Sequence, residues 1–179
     1  VDNFSDSTIV SYGDIIFEER ILKKLINSKN DFSIIIDKKW KRYWEIRSNN
    51  PINDLESLEL DNKQNIISIG KKVKTLNEIE GQYIGLMKFQ HDAIQKIKSF
   101  YSVCKETYHT THSNPLNCRL TFENSYMTDF LQGLIDSGNE LKSIPIENGW
   151  LELDTIDDYK LYTDENLNKK ITEFYNPND

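Results

Sequence analysis

The sequence predicts a mixed α/β fold with a mainly parallel sheet, flanking helices and a β-hairpin excursion. The first observation is a β-branched run at residues 8–12, a helical pattern at 17–28 and a second apolar run at 32–37. A strand, a helix and a strand in this order form a βαβ unit, whose two strands run parallel. The second observation is a pair of short strand patterns at 57–60 and 66–69, separated by a polar turn that is typical of a hairpin.

The three elements of the βαβ unit follow from their side-chain patterns. The first strand rises to a glycine–aspartate step at Gly13 and Asp14. The helix is indicated by Ile21, Leu25 and their neighbours, which recur with helical spacing. Residues 32–37 form a continuous apolar run that is too short for a helix, so we predict a strand that is buried on both faces.

The rest of the chain continues the alternation of strands and helices. Strand patterns occupy residues 82–89, 141–146 and 150–153, helical patterns occupy 91–103 and 126–136, a turn is expected at 49–51, and two short helices start at Thr155 and Asp164. Residues 105–124 are polar and irregular, which predicts a loop insertion. We therefore assign residues 1–179 to a single domain, with residues 164–179 as a C-terminal helix and tail.

Composition and charge exclude several functional classes. The chain carries a formal net charge of -7 at pH 7, whereas a nucleic-acid binder needs clustered lysine and arginine. No stretch approaches the roughly 18 apolar residues of a membrane helix. The two cysteines are too few for a disulfide framework. We therefore expect a cytoplasmic protein that binds neither nucleic acid nor a membrane.

Two aspartates, Asp14 and Asp154, each close a strand pattern and precede a helix. In residues 150–155 polar and apolar side chains alternate, so Glu152 and Asp154 share one face while Leu151 and Leu153 point to the core. If the two strands lie close together, Asp14 and Asp154 hold one Mg²⁺, an ion that takes one or two carboxylates together with water and phosphate oxygens. The alternative is that Asp154 caps the following helix and Asp14 starts a turn.

An aromatic set with acidic neighbours forms a second candidate site. Its members are Trp40, Tyr43, Trp44 and Tyr83, with Glu80 and Asp129 as possible neighbours. Tryptophan and tyrosine rings bind quaternary ammonium groups through their quadrupole, and a carboxylate adds to that attraction. The alternative is core packing, because tryptophan is usually buried and Trp40 and Trp44 are four residues apart.

Lys72 is the third candidate, since it follows a strand pattern at residues 66–69 and a glycine at position 70. Glycine allows a close approach of the backbone, and a lysine beside it can neutralise a phosphate. The alternative is a solvated turn, which is the usual location of a lysine pair.

In order along the chain, these motifs resemble the nucleotidyltransferase superfamily, and in particular the bacterial phosphocholine cytidylyltransferases and their phosphonate-pathway relatives. The segments that carry the resemblance are SYGDI at 11–15, DKKW at 37–40, WEIR at 44–47, DLESL at 54–58, IGKK at 69–72, EGQYIGL at 80–86, MTDFLQ at 127–132 and WLELDTIDD at 150–158. The similarity covers residues 8 to 163. It implies a Rossmann-like fold.

The resemblance implies transfer of a nucleotidyl group, with CTP as the expected NTP, onto phosphocholine or a related phosphate or phosphonate. In this interpretation Asp14 and Asp154 hold Mg²⁺ and Lys72 steadies the substrate phosphate. The aromatic set, together with Glu80, Asp129 and Glu152, receives the cationic head group.

The glycine-rich G-x-G-x-R segment of the family does not occur in these 179 residues. We therefore expect a chain that lacks the N-terminal nucleotide-binding half, that is inactive alone, and that associates with itself or with the missing part. Two alternatives stay open. One is a sugar-1-phosphate nucleotidyltransferase, in which the aromatic set stacks on a sugar, and the other is a catalytically inactive fragment that acts only as a binding module.

Overall fold

The computed structural model describes residues 4–48, 52, 55–176 and 178. Its strands are β1 (Ser7–Ser11), β2 (Ile15–Phe17), β3 (Phe32–Asp37), β4 (Glu56–Leu60), β5 (Asn65–Lys72), β6 (Gln82–Gln90), β7 (Leu141–Ile146) and β8 (Trp150–Glu152). Its α-helices are α1 (Glu19–Asn27), α2 (Trp40–Arg47), α3 (Asp92–Thr111), α4 (Met127–Asp136) and α5 (Ile156–Thr163). Short 3₁₀ helices occupy Leu76–Glu78, Phe122–Asn124 and Asn168–Glu173.

Six strands form one sheet in the order β1-β6-β3-β7-β5-β4, and β2 pairs with β8 in a separate two-stranded sheet. The mixed α/β class, the flanking helices and the hairpin of β4 and β5 are confirmed. The prediction of a mainly parallel sheet is wrong, because β3 and β7 are the one parallel pair among the paired strands described. Strands β1 and β3 do run in the same direction, but β6 lies between them and is antiparallel to both.

Strand β3 lies at the centre of the sheet and is buried at all six positions, as its continuous apolar run predicted. Its alternate side chains enter two different cores. Ile34 packs on one face with Ile97 of α3 and Leu131 of α4, and Ile35 packs on the other face with Leu25 of α1. The helices therefore cover both faces of the sheet, and the connections at its edge remain available for a site.

Three local predictions need correction. Residues 105–111 of the predicted loop insertion belong to α3, because Cys104 is buried there and the ring of Tyr108 stacks on Phe122 at 6.1 Å. Residues 15–17 form β2, so Asp14 precedes a strand, and the helix predicted at 17–28 spans Glu19–Asn27. The predicted C-terminal helix is the 3₁₀ helix Asn168–Glu173. The turn predicted at residues 49–51 lies outside the described residues, and no helix among the described residues is long and apolar enough to span a membrane.

The carboxylate of Asp37 ends β3 in a fully buried position and holds the turn that leads into β8. It accepts hydrogen bonds from the backbone N–H of Lys39 at 2.8 Å and of Asn148 at 3.1 Å, and from Trp150 Nε1 at 2.9 Å. Burial raises the pKa of Asp37, and these three hydrogen bonds only partly oppose the effect. Asp37 thus ties the end of the central strand to the strand that precedes Asp154.

We expect the stability of the protein to depend on the ionisation of Asp37. Because the pKa of Asp37 is raised in the folded state, its contribution is complete below the ordinary value of 3.8 and is lost as pH rises through the folded pKa. We therefore expect the free energy of unfolding of the wild type, measured in urea from pH 4 to 8, to fall relative to that of Asp37→Asn as pH rises. A difference between the two proteins that stays constant with pH would contradict this assignment.

Candidate functional site

An open cleft of about 890 Å³ lies beside the ends of β1 and β8. Among the described residues that line it are four aromatic side chains, five carboxylates and one cation: Tyr12, Trp44, Tyr83 and Tyr126, then Glu56, Glu152, Asp154, Asp157 and Asp158, and Arg47. The position agrees with the rule that ligands of open α/β sheets bind outside the carboxyl ends of strands. The lining is strongly acidic, which favours cationic groups and metal ions over bare anions.

Arg47, the cation of the cleft, is almost completely buried, with a side chain 6% exposed. Its Nε and Nη2 donate to the two carboxylate oxygens of Asp158 at 2.6 and 3.0 Å, and its Nη1 donates to Glu152. Its guanidinium also lies 4.6 Å from the ring centroid of Trp44, as a cation–π contact. Burial lowers the pKa of Arg47, but the hydrogen bonds to Asp158 together with the charges of Glu152 and Asp158 outweigh burial, and the pKa is raised. This cation is therefore committed to the protein's own carboxylates.

Glu152 is held in the cleft by a closed ring of hydrogen bonds. Its backbone N–H donates to Tyr43 Oη at 2.9 Å, and its carbonyl accepts from Tyr162 Oη at 2.6 Å. The two hydroxyl groups lie 2.7 Å apart. Since the Tyr162 proton goes to the carbonyl, Tyr43 donates to Tyr162. Burial raises the pKa of Tyr43 to about 12, so the Tyr43 hydroxyl stays protonated at neutral pH.

The predicted aromatic set divides between the core and the cleft. Trp44 and Tyr83 line the cleft. The structure places Trp40, which is 2% exposed, in a small core with Leu55 and Ile79. It places Tyr43 in the main core, 1% exposed, where it supports Glu152 rather than lining the cleft. The packing alternative therefore describes these two residues and in part Trp44, which is 6% exposed and belongs to the same small core as Trp40 while it also lines the cleft.

Two of the predicted acidic neighbours are engaged outside the cleft lining. Glu80 is exposed, and its Oε1 accepts a hydrogen bond from the backbone N–H of Leu60 at 3.2 Å. Asp129 belongs to the first turn of α4, where it accepts from the backbone N–H of Tyr126 at 3.0 Å and from Asn117 Nδ2 at 3.2 Å. The carboxylate of Asp129 therefore caps α4. Glu152 is the predicted acidic residue that lines the cleft together with Trp44.

Asp154 lines the cleft with a side chain that is 64% exposed. The cap of α5 is Thr155, whose hydroxyl accepts from the backbone N–H of Asp158 at 3.1 Å. The alternative that Asp154 caps this helix is therefore wrong, and its mostly exposed carboxylate lies 4.0 Å from Arg47 Nη2. Glu152 shares the cleft as the alternation predicted, whereas Leu153 is 50% exposed rather than in the core.

Asp14 is exposed and lies next to this carboxylate pair, although its side chain does not line the cleft. Its carbonyl accepts a hydrogen bond from the backbone N–H of Leu153 at 2.8 Å, so the pairing of β2 and β8 continues to this point. Burial raises the pKa of Glu152, and the charges of Asp14 and Asp154 add to the effect. The three carboxylates thus lie within electrostatic range of one another.

Lys72 ends β5 in an exposed position and does not line the cleft. Its cross-strand partner is Glu56, which does line the cleft. Residues directly opposite each other project from the same face of a sheet. Lys72 therefore lies at the rim, one strand away from the carboxylate of Glu56.

The donor chemistry of Asp14 and Asp154 fits Mg²⁺, a hard cation that takes one or two carboxylates and leaves its other positions to water and phosphate. Among the described residues, no group of three or more His, Cys, Asp or Glu side chains is arranged to hold a metal. No lysine occurs among the described residues that line the cleft, and Arg47 is already paired. A phosphate entering here would therefore need an external cation.

Tyr12, Arg47 and Glu56 are cleft residues that the site prediction omitted. Arg47 meets carboxylates 105 and 111 positions away, so no local pattern could reveal its role. The rings of Tyr12 and Tyr83 meet edge to face at 5.7 Å. Gly85 permits this arrangement, since it has φ +79° and a Cβ there would overlap the ring of Tyr12.

No protein-family model matches the chain. The sequence is 38% identical over 153 residues to the CTP:phosphoglutamine cytidylyltransferase of Campylobacter jejuni, an alignment that covers 86% of this chain. The chain spans 57% of the length of that relative.

Two solved structures share the fold. The inositol-1-phosphate CTP transferase from T. maritima has a TM-score of 0.56 at 22% identity, and the alignment covers 97% of this chain and 59% of that one. A putative glucose-1-phosphate thymidylyltransferase from Bacillus anthracis has a TM-score of 0.55 at 16% identity, with coverage of 87% and 52%. The resemblance seen in the sequence motifs is confirmed. Over 86% of its length the chain is similar in sequence to a cytidylyltransferase, and it shares its fold with these two solved structures.

Proposed function

We propose that the gene product transfers CMP from CTP to a phosphate-bearing small molecule and releases pyrophosphate. The observation that carries the proposal is the acidic, aromatic cleft beside the strand ends, in a chain 38% identical to a cytidylyltransferase. Both the aspartates of the metal hypothesis and two members of the aromatic set, Trp44 and Tyr83, lie in or next to this one cleft.

In the proposed reaction an oxygen of the acceptor phosphate attacks the α-phosphorus of CTP. The new O–P bond forms as the bond from the α-phosphorus to the bridging oxygen breaks, and pyrophosphate leaves with that electron pair. This chemistry requires positioning and charge neutralisation rather than a nucleophile from the protein. Asp14 and Asp154 would hold Mg²⁺, which supplies neutralisation of the phosphate charge. Lys72 would assist from the rim of the cleft.

The acceptor that suits the cleft carries a cation besides its phosphate. Tyr83 and Tyr126 contribute aromatic rings to the lining and Glu56 contributes a carboxylate, whereas the Trp44 ring and Glu152 already contact Arg47. Phosphocholine has such a cation, and the Campylobacter relative is described as acting on phosphoglutamine. A sugar phosphate lacks the cation that would offset the acidic lining, so it is the less favoured acceptor.

The triphosphate would be held by residues outside these 179, since no glycine-rich phosphate loop occurs in the sequence and the relative is longer than the chain. On this proposal the chain alone does not catalyse turnover. It would associate with itself or with the nucleotide-binding part through the open edge of β1.

The test is pyrophosphate release by the complete gene product with Mg²⁺ and each NTP in turn. The acceptors to compare are phosphocholine, O-phosphoethanolamine, 2-aminoethylphosphonate, phosphoglutamine and glucose-1-phosphate. We expect release that requires both CTP and an acceptor with a cationic group. If glucose-1-phosphate is the one acceptor that supports release, the assignment of a cationic acceptor is wrong. If no combination of NTP and acceptor supports release, the proposed activity is wrong.

A further inference from the structure

Four of the five carboxylates that line the cleft have a cationic partner within the described part of the chain. Arg47 lies within 4.0 Å of three of them, and Lys160 pairs with the fourth, Asp157, at 2.9 Å. The fifth, Glu56, takes part in none of the ion pairs that the described residues form. Lys72 lies opposite it on β5 but is exposed and forms no such pair. The charge of one cleft carboxylate is therefore left uncompensated by the described residues.

Glu56 is held in a defined position at the start of β4. Its carboxylate accepts a hydrogen bond from the side chain of Thr128, which is 6% exposed and belongs to the first turn of α4. The absence of a side chain at Gly70 lets β5 approach this turn closely, since a Cβ there would lie 2.7 Å from the Cβ of Thr128. The buried hydroxyl of Thr128 therefore fixes the position of the Glu56 carboxylate.

The surroundings of Glu56 make its charge unfavourable. The side chain is partly buried, and burial raises the pKa of Glu56; the hydrogen bond from Thr128 opposes this effect and the charge of Asp129 adds to it. Burial also raises the pKa of Tyr12 and of Tyr83, and the charge of Glu56 adds to the effect at both hydroxyl groups. Glu56 therefore lies within electrostatic range of two aromatic side chains of the same cleft. A bound cation would offset the cost of this partly buried charge.

We propose that Glu56 binds the cation of the acceptor and that Thr128 positions its carboxylate for this contact. The inference rests on the proposed function and names the residue that selects its substrate class, phosphate or phosphonate compounds that carry an ammonium group. The ring of Tyr83 adds to the attraction through its quadrupole. Glu152, to which the family resemblance gives this role, is already paired with Arg47.

The test compares ligands that differ in charge but have nearly the same shape. O-phosphoethanolamine and propyl phosphate form one such pair, and phosphocholine and 3,3-dimethylbutyl phosphate form the other. Calorimetric titration into the complete gene product, with Mg²⁺ and without CTP, should give a dissociation constant about tenfold lower for the cationic member of each pair. Glu56→Gln keeps the shape of the side chain and should reduce this preference to about twofold or less. A preference that stays at the wild-type value in this variant would overturn the inference.

Asp157→Asn is the matched control, because it removes the same charge from the lining of the same cleft. The side chain of Asp157 is 83% exposed, and Lys160 already neutralises it. We expect this variant to keep the wild-type preference. If Asp157→Asn and Glu56→Gln reduce the preference equally, the general acidity of the cleft selects the cation and the assignment to Glu56 is wrong. The assignment is also wrong if Glu56→Gln weakens binding of the uncharged compounds as much as binding of the cationic ones.

Thr128→Val tests the positioning role, since it keeps the volume of the side chain and removes the hydroxyl. The preference for the cationic compounds should fall to about threefold in this variant. Thr128→Ser restores a hydroxyl and should recover most of the wild-type preference. If Thr128→Val keeps the full preference, Thr128 does not position Glu56.

Titration with MgCl₂ alone shows whether Glu56 is a metal ligand instead. We expect the same dissociation constant for Mg²⁺ in the wild type and in Glu56→Gln. A weaker affinity for Mg²⁺ together with an unchanged preference for cationic compounds would assign Glu56 to the metal and overturn the inference.

Turnover separates a failure of this inference from a failure of the proposed function. Two carbon atoms separate the ammonium group of O-phosphoethanolamine from the phosphate ester, so its contact with Glu56 is the same in the ground state and the transition state. Glu56→Gln should therefore raise KM for this acceptor about tenfold and leave kcat unchanged. If pyrophosphate is released but the preference does not depend on Glu56, the transferase proposal stands and the inference fails. If binding depends on Glu56 but no NTP supports release, the proposed activity is wrong and the cation site remains.

Discussion

Replacing Arg47 by methionine is expected to lower the free energy of unfolding by about 3–5 kcal/mol. The substitution keeps most of the side-chain volume but removes the charge that Asp158 and Glu152 share. Asp158 is 2% exposed and cannot recover its hydration in the folded state. Urea denaturation followed by circular dichroism measures the effect.

Arg42→Met is the matched control for this prediction. Arg42 also pairs with a carboxylate, Glu173 at 2.8 Å, but both side chains are more than half exposed. Its removal should change the free energy of unfolding by about 1 kcal/mol or less. In the double variant Arg47→Met/Asp158→Asn, part of the loss should be recovered, because one of the two uncompensated charges, that of Asp158, is gone. A loss below about 1 kcal/mol for Arg47→Met would show that the buried pairs contribute little.

Local pattern predicted most elements of the fold, but it missed β2 and the second half of α3, and it did not give the pairing of the strands. The apolar run at residues 32–37 predicted β3 and its burial on both faces, because a strand buried on both sides has no polar face. The antiparallel insertion of β6 between β1 and β3 depends on contacts between distant segments. The pairing of Ile15 with Glu152 has the same origin. Strand direction and order are decided by tertiary packing, which a hydrophobic pattern does not encode.

The candidate site shows the same division. The alternation in residues 150–155 placed Glu152 and Asp154 on one face, and both line the cleft. Composition alone could not tell a carboxylate that binds a ligand from one that caps a helix, as Asp129 does.

Asp154→Asn is expected to lower Mg²⁺-dependent turnover of the complete gene product by about 100-fold or more, the scale observed when one group that stabilises transition-state charge is removed. The substitution keeps the shape of the side chain but removes the charge that would hold Mg²⁺ beside the phosphates. Asp14→Asn should cause a similar loss. Pyrophosphate release, measured across a magnesium titration, gives both the rate and the apparent affinity for the metal.

The structure allows this loss to be separated from misfolding. Thr155 caps α5, and the side chain of Asp154 is 64% exposed, so Asp154→Asn should change the free energy of unfolding by no more than about 0.5 kcal/mol. Asp92→Asn removes an exposed carboxylate from the start of α3, outside the cleft, and should retain both stability and turnover. If Asp154→Asn keeps wild-type turnover and the same magnesium dependence, the metal assignment is wrong even though the cleft remains. If it loses turnover and stability together, Asp154 supports the fold. The role of a carboxylate in holding Mg²⁺ is then tested by Asp14→Asn alone.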